Sequence, residues 1–160
     1  MSIDSDKRSF SFKRNPNLEI LMGQLNDALA PVEQNFISAS ECNYPLIFIV
    51  GPLRSGSTLM MQWLARTKQI AYPTNLLSRF FKAPVVGAKI QQLLTDPKYQ
   101  FRNEFDDLIE NVGVNSFNGK TSGTLSPNEF WYFWRRFLPF DKLDYCSSSQ
   151  LLQKVDTQLL

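Results

Sequence analysis

Residues 45–59 read Pro-Leu-Ile-Phe-Ile-Val-Gly-Pro-Leu-Arg-Ser-Gly-Ser-Thr-Leu, and no other stretch constrains the fold of this chain as strongly. Residues 46–50 form an unbroken apolar run rich in branched side chains, which is typical of a parallel strand covered on both faces. Gly51 and Gly56 enclose four residues and precede two hydroxyl residues, which is the spacing of a phosphate-binding loop. The stretch therefore predicts a buried strand, an anion-binding loop and a helix that begins near Ser57.

The predicted loop has the chemistry of an anion site. Its glycines allow a tight turn with inward N–H groups, and the helix adds the positive end of its dipole. Ser57 stands where nucleotide-binding loops carry lysine, so Arg54 is the only cation in the loop. A guanidinium can bind two oxygens of a tetrahedral anion, and the hydroxyls of Ser55, Ser57 and Thr58 can donate further hydrogen bonds. We therefore predict phosphate or sulfate binding here, the alternative being an ordinary strand–turn–helix connection.

Residues 51–60 resemble the 5′-phosphosulfate-binding loop of the sulfotransferases, which typically reads Pro-[Arg/Lys]-Ser-Gly-[Thr/Ser]-Thr. Leu53 occupies the place of that proline, and Pro52 precedes it. These enzymes transfer a sulfuryl group from 3′-phosphoadenosine 5′-phosphosulfate (PAPS) to a hydroxyl or amine. The resemblance implies an α/β P-loop NTPase-like fold, PAPS as the donor and no metal. The residues that it implies for donor binding are consecutive: Arg54, Ser55, Gly56, Ser57, Thr58 and Leu59.

A nucleotide kinase or NTPase is the main alternative. Such enzymes use a loop lysine and an acidic residue after a second apolar strand, which holds Mg²⁺. The lysine is missing, and the nearest acid of this kind, Asp141, follows a proline that disfavours a central strand. Residues 113–121 look like a second phosphate loop but have five residues between their glycines. We predict that they form a surface loop, with Lys120 as a candidate neighbour of the bound anion.

The catalytic base is harder to assign. The chain has no histidine, which excludes the base of many cytosolic sulfotransferases, and residues 72–78 lack the glutamate used by another branch. Asn75 and Ser78 are candidates for contacting the acceptor. Glu129 is the candidate catalytic carboxylate. It is also the last residue of a Ser-Pro-Asn-Glu capping box, in which it would accept a hydrogen bond from the Ser126 N–H.

Residues 126–139, which contain this capping box, also resemble a segment of some uncharacterised bacterial sulfotransferases. Their aromatic side chains are expected to form core, with an acceptor-binding lining as the alternative. Four cations are candidates for binding donor or acceptor, although surface positions are the ordinary expectation for them. They are Arg79, Lys89, Arg135 and Arg136.

Composition excludes several classes of protein. The 160 residues carry a net charge of only +2, which gives no nucleic-acid signature. No apolar run approaches the length of a membrane span, and residues 1–8 lack the hydrophobic region of a signal peptide. Cys42 and Cys146 are therefore expected to be free thiols in a cytoplasmic protein. The expected acceptor is a small molecule, a carbohydrate or a lipid.

The predicted organisation is a flexible tail (residues 1–14) followed by one domain (residues 15–160). Helical patterns are predicted from Asn15 to Pro31, after the loop, and over five later ranges: 75–82, 85–94, 98–112, 126–137 and 147–160. Only one strand is predicted, whereas an α/β domain needs several. Family members are longer and bind the 3′-phosphate through an Arg and a Ser further along. We therefore expect the N-terminal part of a sulfotransferase, either completed by a second chain or a truncated, inactive remnant.

Overall fold

The computed structural model of the protein describes residues 15–37, 44–52, 54–102, 104–108, 116–117 and 119–137. This part of the chain is rich in helix and contains one small antiparallel sheet. Its α-helices are α1 (Pro16–Glu33), α2 (Ser57–Arg66), α3 (Pro84–Thr95) and α4 (Trp131–Trp134). Three 3₁₀ turns span Leu77–Arg79, Pro97–Tyr99 and Asp106–Leu108. Strands β1 (Ser116–Phe117) and β2 (Lys120–Thr121) form the sheet.

Helix α1 begins where the sequence predicts. The Asn15 side chain accepts a hydrogen bond from the N–H of Leu18 at 3.2 Å. Pro16 occupies the first helical position, where a missing N–H removes no helical bond. The helix continues to Glu33, past the predicted end at Pro31, because a proline in the last turn removes only one of the helical hydrogen bonds.

Two buried polar side chains of α1 hold the chain that leads into α3. Asn26, which is fully buried, donates to the carbonyl of Arg79 at 2.7 Å and accepts from the N–H of Lys82 at 2.7 Å. Glu33 accepts from the first free N–H groups of α3, those of Val85 at 2.8 Å and Val86 at 3.0 Å. Helix α3 has no side-chain cap of its own, so a carboxylate from another helix supplies one.

The apolar core is small and includes two rings of the predicted aromatic segment, whereas Trp131 in the same segment is exposed. Phe130 and Phe137 are buried, and both pack on Phe133, with ring centroids 4.8 and 5.2 Å away. This confirms the core prediction for those rings. Other buried apolar residues in the described part of the chain include Met22, Ala65, Phe80 and Ala83. The interior of the described fold therefore contains polar side chains as well as apolar ones.

Replacing Gly87 of α3 by alanine should destabilise the protein by about 1–3 kcal/mol. A Cβ there would lie 2.6 Å from the Cβ of Phe80, close to the backbone of a buried residue. This overlap outweighs the gain in helix propensity of up to ~1 kcal/mol. Urea unfolding measures the change. Gly23→Ala in α1 is the matched control. A Cβ there meets nothing within 4 Å, so this substitution should stabilise the protein. Equal effects of the two substitutions would contradict this account.

The predicted parallel strand at residues 46–50 is wrong. The segment forms no strand, and its side chains are exposed, with Leu46 at 78% and Val50 at 91%. Phe48 lies with its ring centroid 6.3 Å from that of Trp134, yet remains 63% exposed. A strand needs a neighbour to satisfy its backbone groups, and the only sheet in the described residues is β1–β2. The strand of a P-loop fold is therefore not formed here.

The other helix predictions have mixed outcomes. The helix predicted over 85–94 is confirmed as α3, whereas 75–82 contains only the turn Leu77–Arg79. The helix predicted over 98–112 is wrong in its described part, because Arg102 takes a φ of 59°, which ends a right-handed helix. The tail, the two cysteines, Asp141 and residues 147–160 lie outside the described residues.

Candidate functional site

The loop between Gly51 and Gly56 makes the tight turn that the sequence predicts. The N–H of Ser55 donates to the carbonyl of Pro52 at 3.2 Å, and a Cβ on Gly51 would lie 2.5 Å from the Ser55 hydroxyl. Gly56 has a φ of 85° and Arg54 a φ of 67°, so the chain turns through the left-handed region twice within three residues. Glycine therefore suits the left-handed backbone at Gly56, whereas a side chain at Gly51 would require the Ser55 hydroxyl to move.

Helix α2 begins directly after this turn, as predicted. Its first helical hydrogen bond runs from the N–H of Met60 to the carbonyl of Gly56 at 3.0 Å. The N–H groups of Ser57, Thr58 and Leu59 therefore precede the helical bonding pattern, and the positive end of the dipole lies beside them. Arg54 and its neighbours in the loop are exposed. The six predicted donor-binding residues thus form one continuous segment that solvent can reach.

Three large apolar side chains of α2 are not part of the core. Leu59, Met60 and Trp63 are 57%, 47% and 59% exposed. The buried residues of the helix are Gln62 and Ala65 instead. Leu59 therefore contributes its N–H group to the candidate site and presents its side chain to solvent.

The candidate catalytic carboxylate lies beside this loop. The hydroxyl of Thr58 donates to Glu129 Oε1 at 3.2 Å, although the two residues are 71 positions apart. The indole N–H of Trp131 donates to Glu129 Oε2. Both carboxylate oxygens therefore accept hydrogen bonds from fixed neighbours. The structure brings together the predicted catalytic residue and a predicted donor-binding residue.

The capping box predicted for Glu129 is wrong. Helix α4 begins only at Trp131, because Phe130 has a φ of 55° and interrupts the helical backbone. The N–H of Ser126 donates to the carbonyl of Gly123 at 3.3 Å. Glu129 consequently lies before the helix, and its carboxylate is directed to Thr58 and Trp131.

A β-hairpin that the sequence analysis missed also approaches the loop. Ser116 pairs with Thr121 and Phe117 with Lys120. Gly119, with a φ of 84°, lies close enough to α2 that a Cβ on it would be 3.5 Å from the Thr58 hydroxyl. The predicted surface loop is therefore a hairpin next to the candidate site, and Lys120 directly follows Gly119. The Asn-Gly dipeptide at 118–119 is the sequence signal that could have predicted the turn.

Hydrogen bonds around Asn75 hold the segment that carries Glu129. The Asn75 N–H donates to the carbonyl of Ser126 at 2.9 Å, and its amide donates to the carbonyl of Gly123 at 2.9 Å. Its side-chain oxygen accepts from Asn128 at 2.8 Å, and its carbonyl accepts from the hydroxyl of Ser78 at 2.7 Å. The side chain of Asn75, predicted as an acceptor contact, therefore positions Gly123 and Asn128, and the hydroxyl of Ser78, the other predicted contact, binds the Asn75 carbonyl.

The four candidate cations make contacts of their own. Arg79 Nη1 lies 3.7 Å from the sulfur of Met22, and Lys89 Nζ lies 5.7 Å from the ring centroid of Phe36. Arg135 lies over the ring of Tyr132, at 6.0 Å from its centroid. Arg136 donates to the carbonyl of Phe81 at 2.8 Å. Burial lowers the pKa of Arg136, and the charge of Glu33 acts in the opposite direction.

Within the described part of the chain, no three His, Cys, Asp or Glu side chains cluster as metal ligands would. No helix in that part is both long and apolar enough to span a bilayer. Comparison of the chain with family models, with curated proteins and with solved structures gave no match. Any assignment of function therefore depends on the geometry of the loop and its neighbours.

Proposed function

We propose that this chain is a sulfotransferase-like protein that works in the cytoplasm and binds its donor at the P-loop-like segment of residues 51–59. The reaction is transfer of a sulfuryl group from PAPS to a hydroxyl or amine of a small-molecule, carbohydrate or lipid acceptor. The observation that carries the proposal is the 3.2 Å hydrogen bond between Thr58 and Glu129. It joins an anion-binding loop to a carboxylate able to accept a proton.

The loop supplies the donor site in this proposal. A guanidinium such as that of Arg54 can bind a tetrahedral group through two parallel N–H donors, and the N–H groups of Ser57, Thr58 and Leu59 lie at the positive end of the helix dipole. When bound, PAPS supplies an activated sulfuryl group on a phosphate leaving group. Arg54 and the loop N–H groups stabilise the negative charge that develops on that phosphate as the sulfur–oxygen bond breaks.

Glu129 supplies the base. Its carboxylate accepts the proton of the acceptor hydroxyl while the acceptor oxygen bonds to sulfur. Trp131 and Thr58 each hold one of its oxygens, which limits the orientations of the carboxylate. A fixed base beside the transferred group avoids the reorganisation that a mobile side chain would require.

Arg54→Ala should weaken binding of adenosine 3′,5′-bisphosphate by about 1.5–3 kcal/mol, the range for hydrogen bonds to charged groups. Isothermal titration calorimetry of the folded chain measures the affinity. Arg102→Ala is the control, because it removes the same charge from an exposed residue outside the loop. If Arg54→Ala bound the bisphosphate as tightly as the parent, the loop assignment would be wrong.

A P-loop kinase or NTPase relative is the second candidate function, and the same contact favours it. Thr58 occupies the Ser/Thr position of the phosphate loop, and NTPases use that hydroxyl together with an acidic side chain to hold Mg²⁺. ATP binding that requires Mg²⁺ and is lost in Glu129→Ala would support this candidate. An inactive remnant would instead bind the bisphosphate and transfer no sulfuryl group to any acceptor.

A further inference from the structure

We propose that Glu129 is a specificity-determining residue that makes the loop prefer a phosphosulfate to a diphosphate. The inference rests on the proposed function, because it assumes that the loop binds the 5′ end of a nucleotide. It concerns which terminal group the loop accepts. That property is separate from proton transfer.

The first step is the position of the charge. The Glu129 carboxylate lies 3.2 Å from the hydroxyl of Thr58, in the first turn of α2, where the terminal group of the ligand is expected. Both of its oxygens already accept hydrogen bonds, from Thr58 and from Trp131, which holds the negative charge at this point. A ligand bound by the loop therefore meets a fixed anion beside its terminal group.

The second step is the charge of the ligand. A terminal phosphate has a second pKa near 6 and carries about −1.5 to −2 at neutral pH, whereas a sulfonate carries a single charge. Repulsion between like charges a few ångströms apart grows with each added charge. Glu129 therefore disfavours the phosphate more than the sulfonate.

The third step is that the loop offers little compensation. Arg54 is the only cation in residues 51–58, because Ser57 replaces the usual lysine. The Thr58 hydroxyl has one hydrogen and donates it to Glu129, so it is not available to an additional phosphate oxygen while that bond persists. A monoanionic terminal group is thus the better match to this site.

The test compares adenosine 5′-phosphosulfate with ADP, two ligands of the same shape that differ in the terminal group. Both are titrated by calorimetry at pH 7.5 in the presence of EDTA. The parent should bind the phosphosulfate at least about tenfold more tightly than ADP, and ~1.4 kcal/mol corresponds to that factor. Glu129→Gln should tighten ADP about tenfold and the phosphosulfate only about threefold, because the sulfonate carries about half the charge of the terminal phosphate.

Two further variants test whether the negative charge of Glu129 causes the preference. Glu129→Asp keeps the charge and should keep the preference for the phosphosulfate. Asp27→Asn removes a charge from α1, where Asp27 pairs with Lys82, and should leave both affinities unchanged. Circular dichroism and urea unfolding show that each variant is folded, and Glu129→Ala replaces Glu129→Gln if the latter is not.

The outcomes separate the inference from the proposed function. Equal affinities in the parent, or equal changes of both affinities in Glu129→Gln, would overturn the selective role while leaving the loop as an anion site. A parent that binds ADP more tightly than the phosphosulfate once Mg²⁺ is added would also overturn it, in favour of a metal-binding carboxylate. Binding of neither ligand to the folded parent would overturn the proposed function, and the inference with it.

Discussion

Asn26→Ala is expected to lower the free energy of unfolding by about 3–5 kcal/mol. The substitution removes the donor to the Arg79 carbonyl and the acceptor for the Lys82 N–H, at a position with no solvent exposure. Both backbone groups would then lack a partner, at about 1–3 kcal/mol each, and a cavity would remain. Urea unfolding followed by circular dichroism measures the loss.

The matched control for this prediction is Asn17→Ala, on an exposed position of the same helix. It should be neutral or slightly stabilising, because alanine has the higher helix propensity. A loss below about 1 kcal/mol in Asn26→Ala would show that water or a shifted side chain replaces the amide without difficulty.

Glu33→Ala is the second large effect, with an expected loss of about 2–4 kcal/mol. Glu33 is 3% exposed, and its carboxylate accepts from the N–H groups of Val85 and Val86, so removing it leaves the start of α3 without a cap. Glu33→Gln should lose less, because its amide oxygen can still accept one of these bonds. Thermal or urea unfolding shows which of the two variants is the more stable.

Glu104→Ala is the control for the loss of charge, because Glu104 is exposed. It should change the free energy of unfolding by less than about 0.5 kcal/mol. If Glu33→Ala lowered the free energy of unfolding no more than Glu104→Ala does, the cap of α3 would be supplied by another group.

Local signals account for the parts of the fold that the sequence predicts correctly. Asn15 and Pro16 mark the start of α1, and the spacing of Gly51 and Gly56 marks the turn before α2. Each of these signals depends on residues only a few positions apart, so it does not require contacts with the rest of the chain.

The incorrect predictions concern features that depend on distant partners. The run at residues 46–50 has the composition of a strand, yet no other strand lies beside it in the described part of the chain. Glu129 has the spacing of a capping box, but Thr58 and Trp131 compete for its carboxylate, and Phe130 takes a left-handed backbone. Tertiary contacts decide both cases, and local sequence patterns do not report them.

In the candidate site, too, the local features are predicted and the contacts between distant residues are not. The sequence predicts the loop residues and proposes Glu129, but nothing in the pattern predicts that the two meet across 71 positions. The approach of Gly119 to Thr58 depends in the same way on how the hairpin packs. The chemistry of each residue could thus be predicted, whereas its neighbours required the structure.

The exposed run at residues 46–50 has a consequence for the behaviour of the protein in concentrated solution. Its five apolar residues include no charge and no proline, which is the composition of segments that nucleate cross-β assembly. Because each copy of the chain presents the same run to its neighbours, we expect self-association to increase with protein concentration. Residues 46–50 are therefore the natural position for a charged gatekeeper substitution that keeps the protein dispersed.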